Sequence, residues 1–246
     1  ESYLKFRLDQ WRPDMALWRS LLKIGLPSGA EFALMAVYLV IVYTVTRPFG
    51  AEAQAGFGIG MRILQACFLP VVALGFGVGP VAGQNFGGRQ AARVKQTFRD
   101  AAVLAGSAML VLALAVWLGG DAMVRVFSSD AAVVAIGVEY LNIVAFNFVA
   151  SGIIFVSSSM FQAMGNTMPS LITSAARIII IAVPVLALAQ MPGFTLRSIW
   201  YISAAAVVVQ LALNLLLLRR EFRLRLAFEP IAAEGPPGAG APALRR

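Results

Sequence analysis

The sequence predicts an all-α membrane protein, a bundle of six transmembrane helices, and three observations carry that prediction. Of 246 residues, 59% are hydrophobic and only 13% charged, whereas a soluble domain carries about 25% charged residues. Mean hydropathy is +0.79, so the chain lacks the polar residues to dress a water-facing surface. Apolar runs recur at 25–46, 53–82, 101–118, 132–164, 170–189 and 198–218. At about 1.5 Å per helical residue, each reaches across, or nearly across, a hydrocarbon core of roughly 30 Å. The alternating pattern of an outer-membrane barrel strand is missing from these runs.

Charge placement orients the bundle. The formal net charge is +8, and its distribution alternates from one inter-helix segment to the next. Lys5, Arg7, Arg12, Arg19 and Lys23 precede the first run, and Arg89, Arg93, Lys95 and Arg99 separate the second from the third. Arg219, Arg220, Arg223, Arg225, Arg245 and Arg246 follow the last, while the opposite side holds Arg47, Arg125 and Arg197. Basic residues concentrate on the cytoplasmic side of membrane helices. Both ends are therefore expected in the cytoplasm of a multi-pass protein of the bacterial inner membrane. Residues 1–23 read as a cytoplasmic connector and juxtamembrane segment, 24–222 as the membrane bundle, and 223–246 as a basic tail passing into linker composition. Tyr3, Phe6, Trp11 and Trp18 among those first cations suit an anchor on anionic lipid, and no nucleic-acid partner is expected.

Whole classes of chemistry fall away. The chain has no histidine and a single cysteine, Cys67, inside an apolar run, so imidazole-based triads and paired-cysteine metal sites are excluded. No GxxxxGK[ST] loop is present. The glycine clusters 56–60 and 75–79 lie within a span, where glycine serves close helix packing or bending rather than phosphate binding. No enzyme, cofactor or bound metal is expected.

Polar residues within the spans sort onto helix faces. The first run carries Glu31, and a carboxylate at mid-membrane depth is expensive and commonly functional. Ser28, Glu31, Met35, Tyr38 and Val42 follow helical spacing there. In the second, Gln54, Gly58, Arg62 and Gln65 align, and Pro70 and Pro80 suggest a long, bent, closely packed helix. The fourth presents Asn147, Ser151, Ser158 and Gln162 on one stripe and Glu139 with Asn142 on another. The fifth carries Arg177, and the sixth aligns Ser203, Gln210 and Asn214, which suit interhelical hydrogen bonding.

Depth counting pairs the four charges. Glu31 lies eight residues past Lys23 and Arg177 eight past Pro169, both about 12 Å from the same side. Arg62 lies ten past Glu52 and Glu139 nine past Asp130, both roughly 14 Å from the other. The expectation is that Glu31 faces Arg177 and Arg62 faces Glu139, each pair reducing its burial cost.

Four segments then carry a family resemblance: Ile24-Gly-Leu-Pro-Ser-Gly-Ala-Glu31, Gly56-Phe-Gly-Ile-Gly-Met-Arg-Ile63, Val81-Ala-Gly-Gln-Asn-Phe-Gly-Gly88 and Phe161-Gln-Ala-Met-Gly-Asn-Thr-Met-Pro169. In order and spacing they resemble the C-terminal six-helix lobe of multidrug and toxic compound extrusion (MATE) transporters. The resemblance runs from about Trp18 to Arg225. It implies one lobe of a two-lobe, 6+6 transporter, with the N-terminal lobe as the missing partner. The chain opens at Glu1 like the connector between lobes, so a parent about twice as long is expected.

The resemblance implies secondary antiport, the export of amphipathic or cationic drugs or metabolites against inward H⁺ or Na⁺. Members with a C-lobe cation site use carboxylates on the seventh and tenth helices. Here Met35 and Gly152 stand at those positions and Glu31 lies one turn before the first, so a two-carboxylate site is incomplete. The main coupling acid is expected in the N-terminal lobe. Glu31, Arg177, Arg62 and Glu139 are the candidates for cation or proton coupling. Met35, Tyr38, Gln65, Asn147, Ser151 and Gln162 are candidates for lining a substrate cleft, together with membrane lipids as surroundings. Two other readings stand beside this one: a flippase for lipid-linked precursors in the same superfamily, and a membrane fragment that does not transport.

Overall fold

The computed structural model describes residues 14–189, 191 and 193–228. Among the described residues seven α-helices follow in order: α1 (Met15–Thr46), α2 (Ala51–Gly87), α3 (Ala91–Arg125), α4 (Ala131–Ala145), α5 (Phe148–Ala163), α6 (Met168–Leu188) and α7 (Leu196–Arg225). A single 3₁₀ turn, Arg47–Phe49, joins α1 to α2. No strand occurs among the described residues. Five of these helices are long and apolar enough to cross a membrane, and α4 with α5 makes a sixth span when counted as one bent unit. The protein is thus an all-α bundle of multi-pass type.

Local signals set the helix ends. The Asp14 carboxylate accepts from the amides of Ala16 at 2.9 Å and Leu17 at 3.3 Å, and Asp130 does the same for Ala132 and Val133. Both satisfy amide groups that the first helical turn leaves without partners. The α5–α6 corner turns at Gly165, whose φ of +73° lies where a Cβ would be strained. α1 begins at Met15, inside the segment expected as a connector, and α7 ends at Arg225, three residues beyond the expected edge of the bundle. The tail from 229 onward and most of the opening segment lie outside the described residues.

The fourth apolar run departs from expectation. It is not one straight span: α4 and α5 meet at a 57° bend around Phe146 and Asn147. α2, by contrast, is a single helical element running through both Pro70 and Pro80. Asn147 is buried at the bend and donates through Nδ2 to the Ala204 carbonyl of α7 at 3.2 Å. A side-chain partner on a neighbouring helix is what makes a break tolerable at membrane depth.

Packing divides the bundle into two groups. α2 lies against α3, α4 and α5, and α3 in turn covers α4 and α5. α6 packs on α7 and on α1, and α4 and α5 reach α7 to join the groups. Where α2 meets α4 the backbones come close: a Cβ on Gly56 would lie 2.9 Å from the Val133 carbonyl oxygen, and one on Gly60 would run into the Tyr140 ring. This confirms the close-packing role expected for the first glycine cluster. Beside it, Phe57 stacks on Trp200 at 5.4 Å and meets Tyr140 edge-on at 5.2 Å, which locks α2, α4 and α7 together. Outward-facing Phe76, Val111 and Leu118 are largely exposed, as an apolar surface toward lipid requires.

Candidate functional site

Glu31 sits halfway along α1, sixteen residues past Met15 in a helix of 32. Three hydroxyls converge on its carboxylate. Ser158 of α5 donates to Oε1 at 3.2 Å, Ser174 of α6 donates to Oε1 at 3.1 Å, and Ser170 of α6 makes a short hydrogen bond to Oε2. All three serines are buried, while Glu31 is half-buried. Ser170 also lies 3.2 Å from Ser158, so its one hydroxyl proton is divided between two acceptors.

A second layer supports the first. Gln210 of α7 donates through Nε2 to Ser174 at 3.2 Å, and Asn214 donates to Thr173 at 3.3 Å. Thr173 itself bonds back to the Ser170 carbonyl at 2.9 Å. The site therefore joins α1, α5, α6 and α7 through one polar network. Of the three α7 residues expected to hydrogen-bond between helices, Gln210 and Asn214 do so, while the buried Ser203 hydroxyl has no partner among the described residues; the link to Glu31 went unanticipated.

Neither expected charge pair forms. Glu31 and Arg177 make no ion pair; the Arg177 guanidinium lies over the Tyr38 ring, 5.2 Å from its centroid. The reason is register. Thr167 donates to the Ile24 carbonyl at 3.3 Å, close to Pro27, and this contact levels the start of α6 with that point of α1. Seven residues on, Ser174 comes opposite Glu31. Arg177 lies three residues further, about 4.5 Å deeper, and meets Tyr38 instead. Its Nε is buried without a hydrogen-bond partner.

Glu139 pairs with Arg197 of α7 across a short contact, and not with Arg62. α2 turns Gly56, Phe57 and Gly60 toward α4, and Arg62 stands two residues past Gly60, about 200° around the helix. It points away from Glu139.

Arg62 instead lines an open groove of about 430 Å³ between α1 and α2, with Tyr43, Gln54, Gly58 and Gln65 among its walls. Of the cleft candidates, Gln65 is in that groove and Met35 is exposed on α1. Tyr38 is buried beneath Arg177, and Asn147 is buried against α7. Ser151 is half-buried and Gln162 exposed on α5. The stripe expected over Asn147, Ser151, Ser158 and Gln162 is therefore not one surface, because the bend detaches its first member and Ser158 turns inward to Glu31.

Sequence reasoning missed Ser170, Thr173 and Ser174. The signal was present, since 170, 173, 174 and 177 form a helical stripe on α6. Serine and threonine alone are weak markers, because they also satisfy their own helix, as Ser157 does on the Ile153 carbonyl at 2.8 Å.

A six-span bundle with a carboxylate caged halfway along its first helix is a multi-pass membrane protein with a candidate ion or substrate site. Residues 27–188 match the MatE family, and the chain belongs to this family of multidrug efflux transporters. Its relatives include the multidrug export protein MepA of Staphylococcus haemolyticus, 27% identical over 83% of this chain and 45% of that protein. Another is the "Probable multidrug resistance protein YpnP" of Bacillus subtilis, 30% identical over 62% of this chain and 36% of that one. A MOP superfamily transporter from Pyrococcus furiosus superposes with a TM-score of 0.84 at 19% identity, over 92% of this chain and 51% of that structure. An outward-facing MATE family transporter gives 0.83 at 18% identity; these two likenesses speak for the fold. The chain spans about half or less of the length of each of these relatives and structures.

Proposed function

We propose that this chain is the C-terminal lobe of a secondary antiporter that exports amphipathic or cationic compounds in exchange for H⁺, with Glu31 as a proton-exchanging residue. The observation that carries the reading is the cage of three hydroxyls around Glu31. An arginine partner only donates and would hold the carboxylate in its charged form. A serine hydroxyl both donates and accepts, so the same cage accommodates the carboxylate, and by rotation of one hydroxyl it accepts from the protonated acid. A carboxyl that can take or give up a proton without losing its partners is what proton exchange during alternating access needs. Na⁺ is the competing coupling ion, since a carboxylate with serine hydroxyls is also an oxygen donor set.

The test is efflux by the complete native protein in proteoliposomes, with a pH gradient or a Na⁺ gradient imposed separately. Glu31→Gln is expected to uncouple efflux from the pH gradient while substrate binding persists. Efflux driven by Na⁺ alone in the wild type and lost in Glu31→Gln would assign the cage to Na⁺, and an unchanged Glu31→Gln variant would remove Glu31 from the mechanism.

One observation supports a second reading, transport of an anionic lipid-linked precursor. Arg62 stands in the α1–α2 groove and, among the described residues, no carboxylate lies within 4 Å of it. Loss of transport of an anionic substrate in Arg62→Gln, with cationic drug efflux intact, would favour that reading.

A further inference from the structure

At the end of the bundle where most basic residues gather, α3 and α7 form a groove of about 530 Å³ lined by Lys95, Leu216, Arg219, Phe222 and Arg223. It lies apart from the Glu31 cage, and Lys95 and Arg219 are more than a hundred residues apart in sequence. Orientation in the membrane requires only that cations be numerous on one side; it does not require three of them to converge on one cavity. Lys95, Arg219 and Arg223 are all exposed. Among the described residues no carboxylate lies within 4 Å of any of them.

The nearby acid on α7 is already engaged. Glu221 pairs with Arg225 at 2.8 Å and accepts from Asn166 at 2.9 Å, on the side of α7 facing the α5–α6 corner. Asp100 on α3 is exposed and forms no ion pair with the three cations. Like charges on converging helices repel, and an anion between them would relieve that repulsion.

The groove is also amphipathic along its length. Leu216, Arg219 and Arg223 follow helical spacing on α7, so the apolar end lies about 10 Å deeper than Arg223. Phe222 forms part of the wall and is fixed edge-on against Phe98 of α3 at 5.9 Å. Leu216 is 61% exposed, an apolar surface that an acyl chain can cover. Cations at the rim and apolar side chains below are the chemistry of a phospholipid seated headgroup-outward.

We propose that the α3–α7 groove binds an anionic phospholipid, its phosphate held by Lys95, Arg219 and Arg223 and an acyl chain lying against Leu216 and Phe222. The phosphate would bridge two helices that otherwise meet at this end through an aromatic contact. Inorganic phosphate shares the headgroup chemistry but makes no use of the apolar wall.

Native mass spectrometry of the complete protein, titrated with phosphatidylglycerol, phosphatidylcholine or inorganic phosphate, tests the assignment. Phosphatidylglycerol is expected to bind at least about tenfold more tightly than phosphatidylcholine, and the Lys95→Gln/Arg219→Gln/Arg223→Gln variant to lose that preference. Arg19→Gln/Arg93→Gln/Arg220→Gln removes the same charge from the same end outside the groove and is expected to keep it. Equal loss in both variants, or retention in the groove variant, would overturn the proposal. So would inorganic phosphate displacing the lipid at comparable concentration. A second measurement needs no variant: a photoactivatable phosphatidylglycerol is expected to label the peptide containing residues 216–223, and labelling confined to α1 or α2 would exclude the groove.

Discussion

At Glu31 the decisive contrast is between an ion pair and a hydroxyl cage. A cation partner would couple Glu31 energetically to Arg177, so that exchanging the two charges would rescue what single changes lose. The cage predicts otherwise: Glu31→Arg with Arg177→Glu is expected to be no better in efflux than Glu31→Arg alone. Measured rescue would restore the ion pair. Hydrogen bonds to charged groups are worth about 1.5–3 kcal/mol, against roughly 0.6 for an average polar contact between membrane helices. Ser170→Ala is therefore expected to lower the melting temperature of the purified protein more than Ser157→Ala, whose hydroxyl serves its own helix. For Arg177, the partner is the Tyr38 ring. Tyr38→Phe is expected to retain stability, whereas Tyr38→Leu loses about 0.5–2 kcal/mol of cation–π attraction in thermal unfolding.

At the scale of elements, α2 resists change on one side and has room for it on the other. Gly60 faces the Tyr140 ring, while a Cβ on Gly77 meets nothing within 4 Å. Gly60→Val is expected to cost about 1–3 kcal/mol through overpacking. Gly77→Ala is expected to be neutral or slightly stabilising, since alanine is the better helix former. Thermal unfolding in detergent separates the two, and equal melting temperatures would show that α2 and α4 do not approach as described. The α4–α5 bend belongs to this scale as well. Nothing in the run 132–164 marks it by proline, and Gly137 and Gly152 both lie away from the break. The Phe146–Asn147 step is held by a partner on α7, which no local pattern could announce.

For the molecule as a whole, the alternation of charge between segments makes a topological prediction. Cys67 is the one cysteine of this chain and is half-buried in α2, so this chain adds little labelling background. A membrane-impermeant maleimide is expected to label Ser129→Cys in intact cells, and to label Gln90→Cys only after permeabilisation. The reverse pattern would invert the bundle and place the α3–α7 groove on the outer face. The contacts that close the basic end tie α1 to α6 and α5 to α7: Thr167 with Ile24, and Arg225 with the Met164 carbonyl at 2.8 Å. The α1–α2 groove is left open, and α1 touches α2 only slightly.

Composition and periodicity by themselves determined that the chain is helical, membrane-spanning and built of six spans. Burial in lipid imposes that on any run of about twenty apolar residues, whatever its neighbours. The same reading located Glu31 as the residue to explain, because a carboxylate at that depth is costly in any fold. Only the tertiary structure decided its partners. Depth along the membrane is one coordinate, and a hydrogen bond needs the rotation and register of each helix as well. The Thr167–Ile24 contact shifted α6 by about one turn relative to the depth count, giving Glu31 three serines and leaving Arg177 to Tyr38. Rotation of α2 likewise turned Arg62 into the groove and left Glu139 to Arg197. The polar groups were all legible in the chain; their pairing was a property of how the helices pack.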